Sequence, residues 1–127
     1  MAGHRPERNR GHGRGGRVAR SGFGGDRGFD APVPALCWNF LRNPQAADWS
    51  LAENPGCLTL HGSAVTLDDE ASPAFLGRRL EHFVVTCETE LSFVPASDGE
   101  EAGLTVLMNN RFHYEIAIKR LAGQNHV

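Results

Sequence analysis

The sequence predicts an all-β fold, an antiparallel β-sandwich or jelly roll, because three observations agree. Apolar and polar residues alternate with a period of two in several short runs after residue 36. Turn-forming stretches rich in Gly, Pro, Asn and Asp separate these runs. A helical period is not sustained beyond a turn or two in this region. Such strands are expected to form sheets that bury one face against each other.

The first 28 residues predict a tail without regular structure. Nine of the fifteen glycines lie there, and residues 1–30 carry seven arginines against three acidic side chains. The tail has no apolar periodicity, so it cannot bury enough surface to offset the entropy of ordering its backbone. The chain therefore divides into a disordered Gly/Arg-rich tail, 1–28, and a β-sandwich body, 29–127. The tail is a candidate for nucleic-acid binding, and a reading-frame artefact is the alternative.

The run FVVTCETELSF, residues 83–93, predicts one strand of the body. Alternation places one set of its side chains on the inner face: Phe83, Val85, Cys87, Thr89, Leu91 and Phe93. The three cysteines, Cys37, Cys57 and Cys87, are spaced 20 and 30 residues apart, which suits neither a metal knuckle nor an even disulfide framework. We expect them to be reduced thiols.

A pair of strands is predicted around Asn109-Asn110, because asparagine tolerates a positive φ in a turn. Phe112, Tyr114, Ile116 and Ile118 alternate with polar or small residues in the second of these strands. The last strand is expected to end near Arg120, which leaves five or six strands and an incomplete sandwich. Inner-face side chains would then lack part of their cover, and exposed sheet edges would favour self-association.

Two tryptophans, Trp38 and Trp49, lie in the stretch CWNFLRNPQAADWSL. They are the candidates for sugar contact, because carbohydrate modules stack pyranose rings on aromatic side chains. The same residues suit a small core, since a buried Trp contributes a large apolar surface. The sequence favours the core, and sugar contact is the alternative.

Carboxylates cluster in two predicted turns, LDDE (67–70) and DGEE (98–101). A pair of carboxylates can perform acid–base chemistry only where burial or a near neighbour raises one pKa. Both clusters are expected to be solvated, so no catalytic residue is assigned. Such oxygen donors are candidate ligands for a calcium ion, but we expect no cofactor and no metal site.

The order of motifs resembles a known family. The blocks FDAPVPALCWNFLRNPQAADWSL, GCLTLHGSA, ASPAFLGRRLEHF, TELSFVP and GEEAGLTVLMNNRFHYEIAI are similar to the first half of one particular module. That module is the C-terminal concanavalin A-like β-sandwich of glycoside hydrolase family 43 β-xylosidases. The resemblance covers residues 29–120. Cys37 departs from it, since a charged or polar residue is expected before the tryptophan.

The resemblance implies a role in carbohydrate metabolism. In such enzymes a separate five-bladed propeller hydrolyses xylosides and arabinosides, and the sandwich packs against it. The chain is therefore expected to be a non-catalytic accessory fragment of a β-xylosidase-like or arabinofuranosidase-like hydrolase, with the propeller as its partner. The alternatives are a free-standing carbohydrate-binding module that takes xylan-derived sugars and a nucleic-acid-binding protein that uses the tail.

The sequence also bears on location. The start of the chain has no apolar signal region, and no apolar run reaches the roughly 18 residues that a membrane-spanning helix needs. We therefore expect a cytoplasmic protein without membrane contact.

Overall fold

The computed structural model describes residues 17–21 and 29–127, and for 17–21 the backbone alone. Its strands are β1 (Arg17–Ser21), β2 (Asn39–Phe40), β3 (Trp49–Ser50), β4 (Thr59–Leu60), β5 (Leu76–Gly77), β6 (Thr89–Ser92), β7 (Glu101–Asn109), β8 (Phe112–Leu121) and β9 (Gln124–His126). A single 3₁₀ turn, Ala46–Asp48, is the helical element of these described residues. The predicted all-β class is confirmed.

The strands form three antiparallel sheets. A four-stranded sheet has the order β3-β4-β1-β6, a two-stranded sheet pairs β2 with β5, and a three-stranded sheet has the order β7-β8-β9. Within the described part of the chain, no helix is long and apolar enough to cross a membrane.

The core lies where the early strands meet. Phe29, Leu51 and Leu58 are buried, and Trp38 and Trp49 pack against them together with Leu60 and Leu76. Ring centroids lie 5.2 Å apart for Phe29 and Trp38 and 5.1 Å apart for Phe40 and Trp49, within the range of about 4.5–7 Å that interacting aromatic pairs show. The aromatic residues of CWNFLRNPQAADWSL thus hold the core together.

The β7–β8 hairpin is the longest paired element. Its register runs from Glu101 opposite Lys119 to Asn109 opposite Phe112. The Asn109 side-chain oxygen accepts hydrogen bonds from the backbone N–H groups of Arg111, at 2.9 Å, and Phe112, at 3.0 Å. The turn expected at Asn109-Asn110 is present, but the asparagine closes it by side-chain capping, since neither residue has a positive φ.

Strand β9 was not predicted from the sequence. Ala122 and Gly123 both have positive φ angles, 49° and 78°, as in the two-residue turns that suit the twist of a hairpin. The chain therefore reverses directly after β8, and Gln124–His126 pairs back onto it. The Ala-Gly dipeptide was the available signal, but alanine is an uncommon residue at a positive φ.

Two other sequence expectations differ from the structure. Of the run 83–93, only Thr89–Ser92 is a strand, and Phe83 and Cys87 are exposed instead of inward-facing. A strand persists where a neighbour completes its hydrogen-bond ladder, and β6 has one neighbour, β1, among the described strands. All three cysteines are free, as expected.

One segment of the predicted tail lies in a sheet. Arg17–Ser21 form a strand, although these residues were expected to have no regular structure. A strand can order a polar segment when neighbours on both sides supply backbone partners, which a reading of the tail by itself does not reveal. Residues 1–16 and 22–28 lie outside the described residues, so the rest of the tail prediction stays a prediction.

Gly103 allows β7 and β8 to approach closely. A Cβ placed on it would lie 2.5 Å from the Ala117 Cα and 2.8 Å from the Ala117 Cβ. We expect Gly103→Ala to lower the free energy of unfolding by about 1–3 kcal/mol through overpacking. Gly62→Ala is the matched control, because a Cβ there meets nothing within 4 Å. Urea unfolding of both variants measures the difference, and equal stability would contradict the close approach.

Trp38 is a large side chain that packs against the core cluster. We expect Trp38→Ala to lower the free energy of unfolding by roughly 3–5 kcal/mol, because it removes a large side chain that contacts the core cluster. The aromatic control is Phe83→Ala, since Phe83 is fully exposed. Denaturant unfolding should leave that control within about 0.5 kcal/mol of the original chain. If Trp38→Ala were as stable as the control, the assignment of Trp38 to the core would be contradicted.

Candidate functional site

The two sugar-contact candidates lie on the core. Both Trp38 and Trp49 are half-buried, and each ring packs against a phenylalanine as well as against the core cluster. Part of each indole is therefore used for packing, which leaves less of the ring surface for a pyranose ring. Sugar contact by these residues stays a prediction.

The first carboxylate cluster organises its own turn. The Asp69 carboxylate accepts hydrogen bonds from the Thr66 backbone N–H at 2.8 Å and from the Thr66 hydroxyl at 3.0 Å. Asp68 is exposed, and its Oδ1 lies 3.9 Å from Nε2 of His113. These contacts join the turn to the β7–β8 hairpin, so the cluster has a structural role.

The second cluster secures the start of β7. The Glu100 carboxylate accepts a 2.7 Å hydrogen bond from the Ala96 backbone N–H. Asp98 accepts a 2.9 Å bond from the Gly123 backbone N–H, and its Oδ1 lies 3.5 Å from Nε of Arg120. The carboxylates of this predicted turn thus connect β7 to the β8–β9 turn.

One ion pair spans the hairpin. Nζ of Lys119 lies 2.6 Å from Oε2 of Glu101, its register partner. The hydrogen bond to Glu101 and then the negative charge of Glu101 raise the pKa of Lys119 above 10.5. Because the pKa of Lys119 is higher in the folded chain than in the unfolded chain, the ion pair stabilises the fold fully at pH values below the unfolded-state pKa. This stabilisation is lost as the pH rises through the folded-state pKa of Lys119. The ammonium is largely solvated, so the stabilisation is small.

Metal-binding geometry is not present in the described part of the chain. No three His, Cys, Asp or Glu side chains in residues 29–127 converge closely enough to hold an ion. His61 instead contacts the Ala47 carbonyl oxygen through Nδ1 at 2.7 Å and Glu53 through Nε2 at 3.0 Å. The His61 ring thus links the 3₁₀ turn at Ala47 to the loop at Glu53. Calcium binding by the carboxylate turns stays untested.

The most prominent surface is one face of the β7–β8 hairpin. Residues opposite each other in an antiparallel pair project to the same side, so Val106 and Tyr114 share a face, as do Leu104 and Ile116. Four large apolar side chains on this side are exposed, Val106, Phe112, Tyr114 and Ile116, and a fifth exposed one, Met108, lies beside them at the register shift. We call this surface the apolar face. Contiguous exposed apolar surfaces of this kind mark interaction sites.

The opposite face of the hairpin is the covered one. His113 is only 11% exposed there, and its Nε2 lies 2.9 Å from Oε1 of Glu115. Asn110 adds a 3.4 Å hydrogen bond from its side-chain amide to the Asp68 carbonyl oxygen. The turn around Asp68 therefore lies against the more polar side of the hairpin and leaves the apolar face open.

Sequence reasoning identified the apolar face only in part. Tyr114 and Ile116 were expected to lie on an inner face without full cover, and they are exposed, at 84% and 64%. Met108 and Val106 were not singled out, although the register with β8 places Val106 beside Tyr114. Alternation in the run before Asn109 was the signal that identifies them.

Comparison with known proteins agrees with this architecture. The chain matches the family described as the β-xylosidase C-terminal concanavalin A-like domain over residues 26–127. The non-reducing end α-L-arabinofuranosidase BoGH43B of Bacteroides ovatus is 41% identical over 96 residues, which are 76% of this chain and 18% of that protein. A xylosidase/arabinosidase of Butyrivibrio fibrisolvens is 33% identical over 70 residues, 55% of this chain and 14% of that protein.

These alignments span less than a fifth of the length of either relative. The family match, in contrast, covers most of the present chain, including all strands from β2 to β9. In the part of the chain that the structure describes, antiparallel sheets with a single 3₁₀ turn agree with a concanavalin A-like sandwich. The chain therefore belongs to the family of β-xylosidase C-terminal concanavalin A-like domains.

Proposed function

We propose that this chain is a non-catalytic accessory unit that packs against other parts of a glycosidase and supports its catalytic propeller. The apolar face is the observation that carries the proposal. Burying a large apolar side chain contributes about 1.5–3 kcal/mol, so five exposed ones strongly favour a covering surface. A protein partner provides such a surface, whereas a small polar sugar does not.

The carboxylates support a structural role. An inverting glycosidase needs an acid and a base about 6.5–9.5 Å apart on opposite sides of a sugar. Asp69 and Glu100 instead accept hydrogen bonds within their own turns, and Glu101 pairs with Lys119 across the hairpin. None of these contacts prepares a carboxylate to donate a proton to a leaving group.

The type of glycosidase follows from the relatives. Their names specify an arabinofuranosidase and a xylosidase/arabinosidase. We infer that the partner of this chain acts on xylosides or arabinosides, and that hydrolysis takes place in a propeller domain. The contribution of this chain would be to stabilise that propeller and the wall of its substrate pocket.

The first test is activity. We expect the chain by itself to release no arabinose or xylose from aryl glycosides above background, because the carboxylates that it presents maintain turns and an ion pair. Release of the aryl group, followed spectrophotometrically, measures turnover. Activity that fell on Glu100→Gln or Glu101→Gln, with folding intact, would contradict the non-catalytic proposal.

The second test concerns the apolar face. We expect Ile116→Lys to change the free energy of unfolding by no more than about 0.5 kcal/mol, because the side chain is already exposed. When the original chain is co-expressed with a family 43 propeller that lacks its own C-terminal domain, the amount of soluble, active propeller should increase. Ile116→Lys should abolish that increase.

Two results would separate the possible failures. Glu88→Lys, an exposed change away from the hairpin, is the matched control and should preserve the effect on the propeller. A strong loss of stability in Ile116→Lys would mean that the face is covered within the chain. An unchanged propeller effect in Ile116→Lys would mean that docking uses another surface.

A further inference from the structure

Strand β1 occupies an unusual position in the four-stranded sheet. It lies between β4 and β6 and is antiparallel to both. The family match begins at residue 26, so β1 lies outside the matched residues, whereas β4 and β6 lie inside them. Two strands of the family domain are thus bridged by a strand that is not part of the match.

Without β1, two backbone edges would face an open slot. Arg17 is the register partner of both Thr59 in β4 and Ser92 in β6, and Val18 is the partner of Leu91. Strand edges carry unpaired N–H and C=O groups that readily pair with any extended chain. Because β6 is the last strand of this sheet, its ladder within the described residues depends on β1.

The fit of β1 in the slot is imperfect. Its register against β6 shifts between Val18 and Ser21, where Ser21 is paired with Thr89. Its pairing with β4 is limited to one position, Arg17 opposite Thr59. A short, shifted ladder is the pattern expected when backbone pairing alone selects the segment, because side-chain alternation then fixes the register only weakly.

We propose that Arg17–Ser21 acts as a surrogate strand that fills a strand-accepting slot between β4 and β6. The slot recognises an extended polypeptide segment through main-chain hydrogen bonds, as in other cases of strand addition. Its occupant in this chain is β1, and an equivalent segment supplied by a second molecule can take the same place. This inference does not depend on the proposed role in a glycosidase.

Hydrogen exchange of the full chain tests the position of β1. Val18→Pro removes a backbone N–H and introduces a residue that interior strands exclude. Val18→Thr is the control, because it keeps the N–H and a β-branched side chain. We expect amide protection in β6, Thr89–Ser92, to fall about ten-fold or more in Val18→Pro and to be unchanged in Val18→Thr. Unchanged protection of β6 in Val18→Pro would overturn the proposal.

A peptide experiment tests the slot itself. A synthetic peptide of residues 15–23, at about 1 mM, should restore β6 protection in the full-length Val18→Pro chain, whereas the same peptide with Val18→Pro should not. The original chain should not respond, because its own strand is present at a millimolar effective concentration. If Val18→Pro also lowers protection in the β7–β8 hairpin, restoration by the peptide still supports the slot. Failure of the original-sequence peptide to restore protection would overturn it.

Discussion

Burial of one face of each sheet is the constraint on which this structure depends. Strands satisfy their backbone groups in ladders, but a sheet gains most of its stability only when a second layer covers its apolar side. The core cluster of Phe29, Leu51 and Leu58 meets this requirement for the early strands with the help of the two tryptophans. In the β7–β8 hairpin, the turn around Asp68 covers the more polar side, whereas the apolar face has no covering layer among the described residues.

The same constraint operates at the strand edges. Strand β6 is paired on one side only, by β1, and the chain before it, from Phe83 to Glu88, forms no strand. The apolar face is exposed because no second layer covers it among the described residues. Strand β6 is paired on one side only because no described strand lies along its other edge. A partner that covered the apolar face would therefore also stabilise the hairpin that presents it.

The chemistry of the polar residues agrees with a supporting role. The carboxylates that the sequence places in turns are used to cap backbone N–H groups, as Asp69 and Glu100 do, or to form ion pairs, as Glu101 does. His61 fastens loops in the same way. Relatives of this chain are named as an arabinofuranosidase and a xylosidase/arabinosidase. We propose that this unit contributes packing surface and that hydrolysis is the task of the propeller.

The sequence by itself determined the all-β class, the hairpin around Asn109 and the family, because alternation, turn residues and motif order are local properties of the chain. It also placed Tyr114 and Ile116 on a face without full cover. Only the tertiary structure decided that Phe83 and Cys87 are outside any strand, that Ala122-Gly123 turns the chain into β9, and that Arg17–Ser21 enters a sheet. Whether residues 17–21 and 83–88 join a sheet depends on neighbours that are distant in sequence. The turn into β9 is local, but it needs a positive φ at Ala122, which alanine seldom adopts.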